Sequence, residues 1–244
     1  MANPPFNQKD WRAEKELKDD PRWRGYEVPP KSNANYGWIL NMVSKLSENG
    51  VAGFILANGA LSGGGEEYKI RRKLIENNLV EAILVLPRNL FYTTDISVTL
   101  WILNKNKKEQ SRSIGDETRQ YRNREKEILF MDLRQLGEPF EKKFTQFSDT
   151  DIKKVTTTYH QWQSATGENI PEFSYSASFE EVAKKDFSLV PSKYIEFVNR
   201  DENIDFDEKM KVLQAEFAEL LKAEAASKND LLTVFSELGF PINF

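Results

Sequence analysis

At 244 residues, with 39 % apolar and 12 % aromatic side chains, the chain carries enough material for a substantial core and falls outside the disordered class. A net charge of −4 argues against binding duplex nucleic acid over the whole surface, while leaving room for a local basic groove. Zero cysteines exclude disulfides, thiolate metal sites and cysteine nucleophiles, and fit the cytoplasm; the single His160 argues against a Ser-His-Asp triad and His-rich zinc sites. No metal centre is expected.

Apolar runs such as Phe54–Ala57 and Ala82–Leu86 are far shorter than the ~20 residues of a membrane span, and residues 1–20 are polar, so neither a span nor a secretory leader is expected. In chain order, residues 7–36 are charged and punctuated by Pro21, Pro29 and Pro30, and read as a long loop. Ile39, Met42, Val43 and Leu46 recur at helical spacing, predicting a helix over 35–49 that Gly50 stops. Residues 51–57, VAGFILA, predict a buried strand; a loop, a helix from Glu66 and a second strand over 79–87 follow. That order predicts a parallel pair joined by a right-handed crossover. A third strand over 96–105 follows too closely for a crossover helix and is expected to run antiparallel.

Residues 105–127 hold eight Lys/Arg and five Asp/Glu with almost no apolar anchor, and read as a mobile basic excursion able to touch phosphates. A strand over 128–133 and a helix over 148–162 come next, then a Ser/Gly/Pro-rich boundary over 164–178. Phe206, Met210, Leu213, Phe217 and Leu220 alternate four- and three-residue steps, the seam of a helix that packs on another helix. Asp205 with Glu208 marks its start; Ser227 with Asp230 is expected to open a second helix, ended by Gly239 and Pro241.

Asn3-Pro4-Pro5-Phe6 is the segment richest in chemistry. The exocyclic amine of a nucleobase is a poor nucleophile, because its lone pair is delocalised into the ring. Acceptors placed on its hydrogens favour a tetrahedral nitrogen and expose that pair to an electrophilic methyl. Asn3 offers a side-chain oxygen, and Pro4 a backbone carbonyl whose direction is held by the fixed φ of proline and by the following Pro5. Phe6 offers a flat face for a flipped-out base, worth about 1–3 kcal/mol. The tetrapeptide alone equally suits an ordinary turn or an extended linker.

The wider sequence decides between these. Asn3–Phe6 followed by NQKDW, the run from Gly53 through Lys108, ILFMDLRQLG, TYHQW and DFSLVPSKYIE resembles the modification (M) subunit of type I restriction-modification systems, S-adenosylmethionine-dependent adenine-N6 DNA methyltransferases. The resemblance implies an α/β fold, the C-terminal part of a Rossmann-like class I methyltransferase sheet with its last strand antiparallel, followed by a C-terminal helical region. It implies catalytic Asn3, Pro4, Pro5 and Phe6, with the flipped base held by Phe6, Phe91 and, second, Tyr92; the basic loop 105–127 is then expected beside that base pocket. It divides the chain into a catalytic part over 1–163, a linker over 164–178 and a helical region over 179–244 for subunit contact. The implied partners are DNA, the specificity subunit and the restriction subunit. The family's glycine-rich cofactor turn precedes its Asn-Pro-Pro-Phe loop. Neither Gly50–Gly53 nor Ser62–Glu67 reproduces that turn, so the chain is expected to be a C-terminal portion of a longer protein, inactive alone. Two other readings stay open: a non-catalytic module that binds the specificity subunit, and a methyltransferase acting on RNA or protein amines.

Overall fold

Apolar residues in alternating and continuous runs build one mixed sheet. The strands are β1 (Val51–Ala57), β2 (Val80–Val85), β3 (Val98–Asn104), β6 (Glu127–Asp132) and β9 (Ser174–Ser178), in the spatial order β1-β3-β2-β6-β9. The structure is a computed structural model and describes residues 1–13, 15–115, 117–165, 167–198, 205–240 and 242. β2 is buried along its whole length, as suits a central strand covered on both faces. It pairs in parallel with β6 and antiparallel with β3.

The third strand therefore runs antiparallel as expected, but it lies between β1 and β2 instead of beside them. β1 and β2 point the same way without touching, which corrects the expected adjacent parallel pair. The 12-residue link 86–97 folds β3 straight back onto β2, and β3 then offers its other edge to β1.

Two layers cover the sheet. Helices α1 (Asn35–Lys45) and α2 (Gly65–Glu76) bury Tyr36, Ile39, Leu40, Ile70 and Leu74 against Phe54, Leu56, Trp101 and Leu103 on one face. On the other, α3 (Asp149–Ser164) turns Val155, Tyr159 and Trp162, spaced four and three apart, toward Ala82, Leu84, Leu129 and Met131. Ser148 starts α3 with a capping box shared with Asp151. α1 ends four residues earlier than expected, where Leu46 turns extended.

The basic stretch 105–127 is not an excursion. Its β4 (Gln110–Ile114) and β5 (Glu117–Tyr121) form a hairpin, and Lys107 and Arg124 are buried. Lys107 Nζ donates to the carbonyls of Val80 and Glu127 at 2.9 and 2.6 Å. Glu81 on β2, fully buried, accepts from Tyr159 Oη at 3.1 Å, Gln163 Nε2 at 2.8 Å and Asn104 Nδ2, with Arg124 Nε 3.5 Å away. Burial holds the Lys107 ammonium down at about 8, and burial followed by Glu81 pushes the Tyr159 phenol up. Three of the eight cations of this stretch serve inside the molecule, since Arg122 forks onto the Glu127 carboxylate at 2.9 and 2.7 Å.

Residues 164–178, expected as a linker, supply β9, which pairs antiparallel with β6. A short hairpin, β7 (Glu138–Phe140) with β8 (Phe144–Gln146), precedes α3, and α4 (Phe179–Lys184) follows β9. The first compact unit runs from Met1 to Phe197 and the second from Val198 to Phe244.

The second unit holds α5 (Phe206–Glu237), one continuous 32-residue helix in place of the two expected. Asp205 caps it by accepting from the N–H groups of Asp207 and Glu208. Residues 222–230, KAEAASKND, contain no glycine or proline and are rich in good helix formers, so nothing interrupts the backbone at Ser227. The apolar steps continue in one phase past Glu224 and Ser227 to Leu231, Val234 and Leu238, and no residue of the helix is buried. Pro241 lies outside the described residues. No helix among the described residues is long and apolar enough to cross a membrane.

Candidate active site

Register aligns the strand ends on one side of the sheet. Ala57 pairs with Val98, Val85 with Thr99, and Val85 with Asp132, so the carboxyl ends of β1, β2 and β6 lie level with the start of β3. In open α/β sheets this is the end where ligands bind. Ala2 joins the free edge of β1 in parallel: its N–H donates to Gly53 O at 3.0 Å, and its carbonyl accepts from Ile55 N at 3.2 Å. The chain leaving Ala2 thus heads for the same end, and Asn3–Phe6 begin there.

The corner they form is open. Asn3 and Pro5 are exposed, whereas Pro4 and Phe6 are half-buried. Among the described residues neither Asn3 Oδ1 nor the Pro4 carbonyl accepts a hydrogen bond, so both acceptors remain available. Phe6 packs on the cluster of Ala82, Leu84, Leu86 and Val98, and Phe91, on the loop between β2 and β3, packs on that cluster too. Tyr92 behaves differently. It is 71 % exposed and meets Phe144 edge-on, with ring centroids 4.7 Å apart. The β2–β3 loop is braced further by Thr145 N–H to Asn89 O at 3.0 Å and by Ser97 Oγ to Leu86 O at 2.6 Å.

The sequence reading missed the far end of the corner. Asn7 takes the left-handed conformation at φ +52, which asparagine tolerates better than most residues. Its N–H donates to Asn35 Oδ1 at 3.0 Å, while Asn35 Nδ2 returns a bond to Asn7 Oδ1 at 2.8 Å. Asn33 Nδ2 also donates to Asn7 Oδ1, at 3.3 Å, and Ala34 N–H donates to Gln8 O at 2.9 Å. Trp11 of the same stretch donates from Nε1 to Pro30 O at 2.8 Å and crosses Trp23 edge-on. No local signal marks this contact, because Asn33 and Asn35 lie 26 and 28 residues along the chain from Asn7.

The basic stretch 105–127 lies elsewhere. It leaves β3 at Asn104, which pairs with Val51, so it emerges at the opposite end of the sheet from Ala57 and the Asn3 corner. That corrects its expected place beside the base pocket. Asp95, at the functional end, is exposed and pairs with Arg88. Asp132, buried at the end of β6, is held by the Arg134 guanidinium at 2.5–3.0 Å.

These observations meet an independent one. The family model of N-6 DNA methylases matches residues 1–203. The chain belongs to the N-6 DNA methylase family. Within and around this family it is 39 % identical over 238 residues to the type I restriction enzyme HindI methylase subunit of Haemophilus influenzae, covering 95 % of this chain and 50 % of that protein. It is 34 % identical over 247 residues to the type I restriction enzyme MjaIX methylase subunit of Methanocaldococcus jannaschii, covering 98 % of this chain and 42 % of the relative. In three dimensions it is similar to the crystal structure of the type I restriction-modification system methyltransferase subunit from Streptococcus thermophilus. There the TM-score is 0.67 at 29 % identity, over 80 % of this chain and 37 % of that one. The relatives are those the sequence resembles, and the mixed α/β sheet is theirs. The chain spans about half the length of the curated relatives it matches.

The family implies S-adenosylmethionine, and the glycine-rich turn after β1 is the feature to test against it. That turn is filled from within: Ala60 and Leu61 are buried, Tyr36 Oη donates to Ala60 O at 2.7 Å, and Arg71 Nη1 donates to Gly63 O at 2.7 Å. Glu66 and Glu67 occupy the first turn of α2. This loop does not fit a cofactor cradle. Among the described residues, clefts of about 370, 430, 530 and 630 Å³ mark the first unit, and Asn3, Pro4, Pro5 and Phe6 line none of these.

Proposed function

We propose that this chain is the base-holding part of an adenine-N6 DNA methyltransferase, the modification subunit of a type I restriction-modification system. The carrying observation is the solvent-exposed segment at the carboxyl end of the sheet, with two uncommitted acceptors, Asn3 Oδ1 and the Pro4 carbonyl, followed two residues on by a half-buried Phe6. S-adenosylmethionine supplies the electrophilic methyl, held by the portion of the relatives' length that this match leaves out. The parallel seating of Ala2 on β1 supports a Rossmann-like sheet continued by a further parallel strand on that edge.

The chemistry assigned to this chain is positional. Asn3 Oδ1 and Pro4 O accept the two hydrogens of the adenine amine and draw its nitrogen toward tetrahedral geometry. As the nitrogen gains positive charge, both acceptors bind it more tightly, so they act on the transition state. Phe6 and Phe91, sharing one apolar cluster, are assigned to the faces and edge of the flipped base. Tyr92, turned onto Phe144, is the weaker candidate.

A second role is favoured by α5. A 32-residue helix with an apolar seam and no buried residue is the form of a subunit contact, and we assign it to the specificity subunit, with the restriction subunit joining the same assembly in the cytoplasm. Alone, that role gives the assembly-module reading.

Digestion and mass spectrometry of host DNA tests the proposal. Expression of the natural protein carrying this chain, with its partner subunits, in cells lacking DNA methylation should yield N6-methyladenine. Absence of that base, or N4-methylcytosine in its place, would contradict the assignment.

A further inference from the structure

We infer that Asn35 is a positioning residue for the corner, acting through Asn7; the inference rests on the methyltransferase reading above. The loop is a four-residue span tied at both ends. At its start, Ala2 is stitched to β1 by two backbone bonds. At its end, Asn7 is gripped by Asn35, whose Oδ1 takes the Asn7 N–H and whose Nδ2 reaches the Asn7 side-chain oxygen. Between the ties, Pro4 and Pro5 have fixed φ, and the second proline holds the first extended, so few torsions remain free. With both ends fixed, the direction of the Pro4 carbonyl and the path of the backbone through Phe6 are held to a narrow range. With only the Ala2 end fixed, the ψ angles of both prolines and the torsions of Phe6 are released.

Asn35 is suited to this work. It is fully buried at the first position of α1, a helix whose Tyr36, Ile39 and Leu40 are themselves fully buried, so the grip refers the loop to the core. Its own N–H is engaged by Asn33 Oδ1 at 2.9 Å, and Asn33 adds the further bond to Asn7 Oδ1. In both contacts with its neighbours' amides the Asn7 side chain is an acceptor. Aspartate at position 7 therefore keeps every bond, glycine keeps the left-handed backbone but loses the side chain, and alanine loses both.

The experiment pairs kinetics on the natural protein with hydrogen exchange. Asn35→Ala and Asn7→Gly should lower kcat for DNA methylation on the order of 10²-fold, the scale of an ångström-sized misplacement, with KM for S-adenosylmethionine unchanged. Asn7→Asp should stay within a few-fold of wild type. In Asn35→Ala the Asn7 amide should exchange at least tenfold faster, while β2 and β6 amides stay protected. A kcat for Asn35→Ala within threefold of wild type overturns the inference. So does loss of activity in Asn7→Asp equal to that in Asn7→Gly, or a loss accompanied by exchange throughout the sheet, since Asn35 would then be structural. If the wild type itself transfers no methyl group, the methyltransferase reading has failed instead, and unchanged Asn7 exchange in Asn35→Ala would remove the grip as well.

Discussion

Asn3→Ala is expected to lower the single-turnover rate of methyl transfer by about 10²–10³, the range found when one preorganised hydrogen-bonding group is removed from a developing charge. In the ground state the adenine amine is nearly neutral and bonds Asn3 Oδ1 only moderately; in the transition state it carries positive charge and holds that oxygen tightly. The loss should therefore fall on kcat, with little change in the KM for DNA. Asn3 is exposed and makes no hydrogen bond among the described residues, so the substitution should alter folding by less than about 0.5 kcal/mol. Unchanged urea unfolding beside the lost rate separates the two effects. A rate within threefold of wild type would remove Asn3 from the chemistry.

Arg124→Met should destabilise the fold by about 3–5 kcal/mol, because it removes the cation paired with the buried Glu81. Glu81 and Arg124 have side chains 0 and 1 % exposed, and their 3.5 Å contact is an ion pair longer than a good hydrogen bond. Arg124 also donates from Nη1 to Arg122 O at 2.6 Å, and its backbone N–H meets Lys107 O at 2.8 Å, so together with its contact to Glu81 on β2 it ties both ends of the β4–β5 hairpin to the sheet. At about 2–4 °C per kcal/mol for a domain of this size, the melting temperature should fall by roughly 6–20 °C. The double variant Glu81→Gln with Arg124→Met removes both charges while keeping an acceptor for Tyr159 and Gln163. It should cost less than Arg124→Met alone, a coupling that urea melts of the cycle would measure. Additive effects would mean the two groups do not stabilise each other.

The same network shows where sequence stops being informative. Residues 105–127 looked solvated because partners that bury two of their cations lie far away in the chain: Arg124 meets Glu81, and Arg122 meets the Trp162 carbonyl. Periodicity reports which face of an element is apolar, not which strand lies beside it. The strand character of 51–57, 79–87 and 96–105 was therefore readable, but the insertion of β3 between the other two was not. Ser164–Ser178 misled by composition, since small polar residues that serve linkers also line an edge strand such as β9. In α5, Ser227 and Asp230 mimic a helix start, yet a start also needs a backbone break upstream, and that stretch has no glycine or proline to supply one. Asn3–Phe6 stood out because the chemistry proposed for it is concentrated in four consecutive residues. Asn35, 28 residues from Asn7, had no local mark to distinguish it from any asparagine opening a helix.

The central claim is that Asn3 Oδ1 and the Pro4 carbonyl together grip the amine that is methylated. A crystal structure of the natural protein with a non-reactive S-adenosylmethionine analogue and duplex DNA containing its site measures this directly. A flipped adenine is expected stacked on Phe6, its N6 about 2.8–3.2 Å from both oxygens. An adenine left in the duplex in the closed complex, or seated with its N6 bonded to other groups and the Asn3 corner empty, would contradict it.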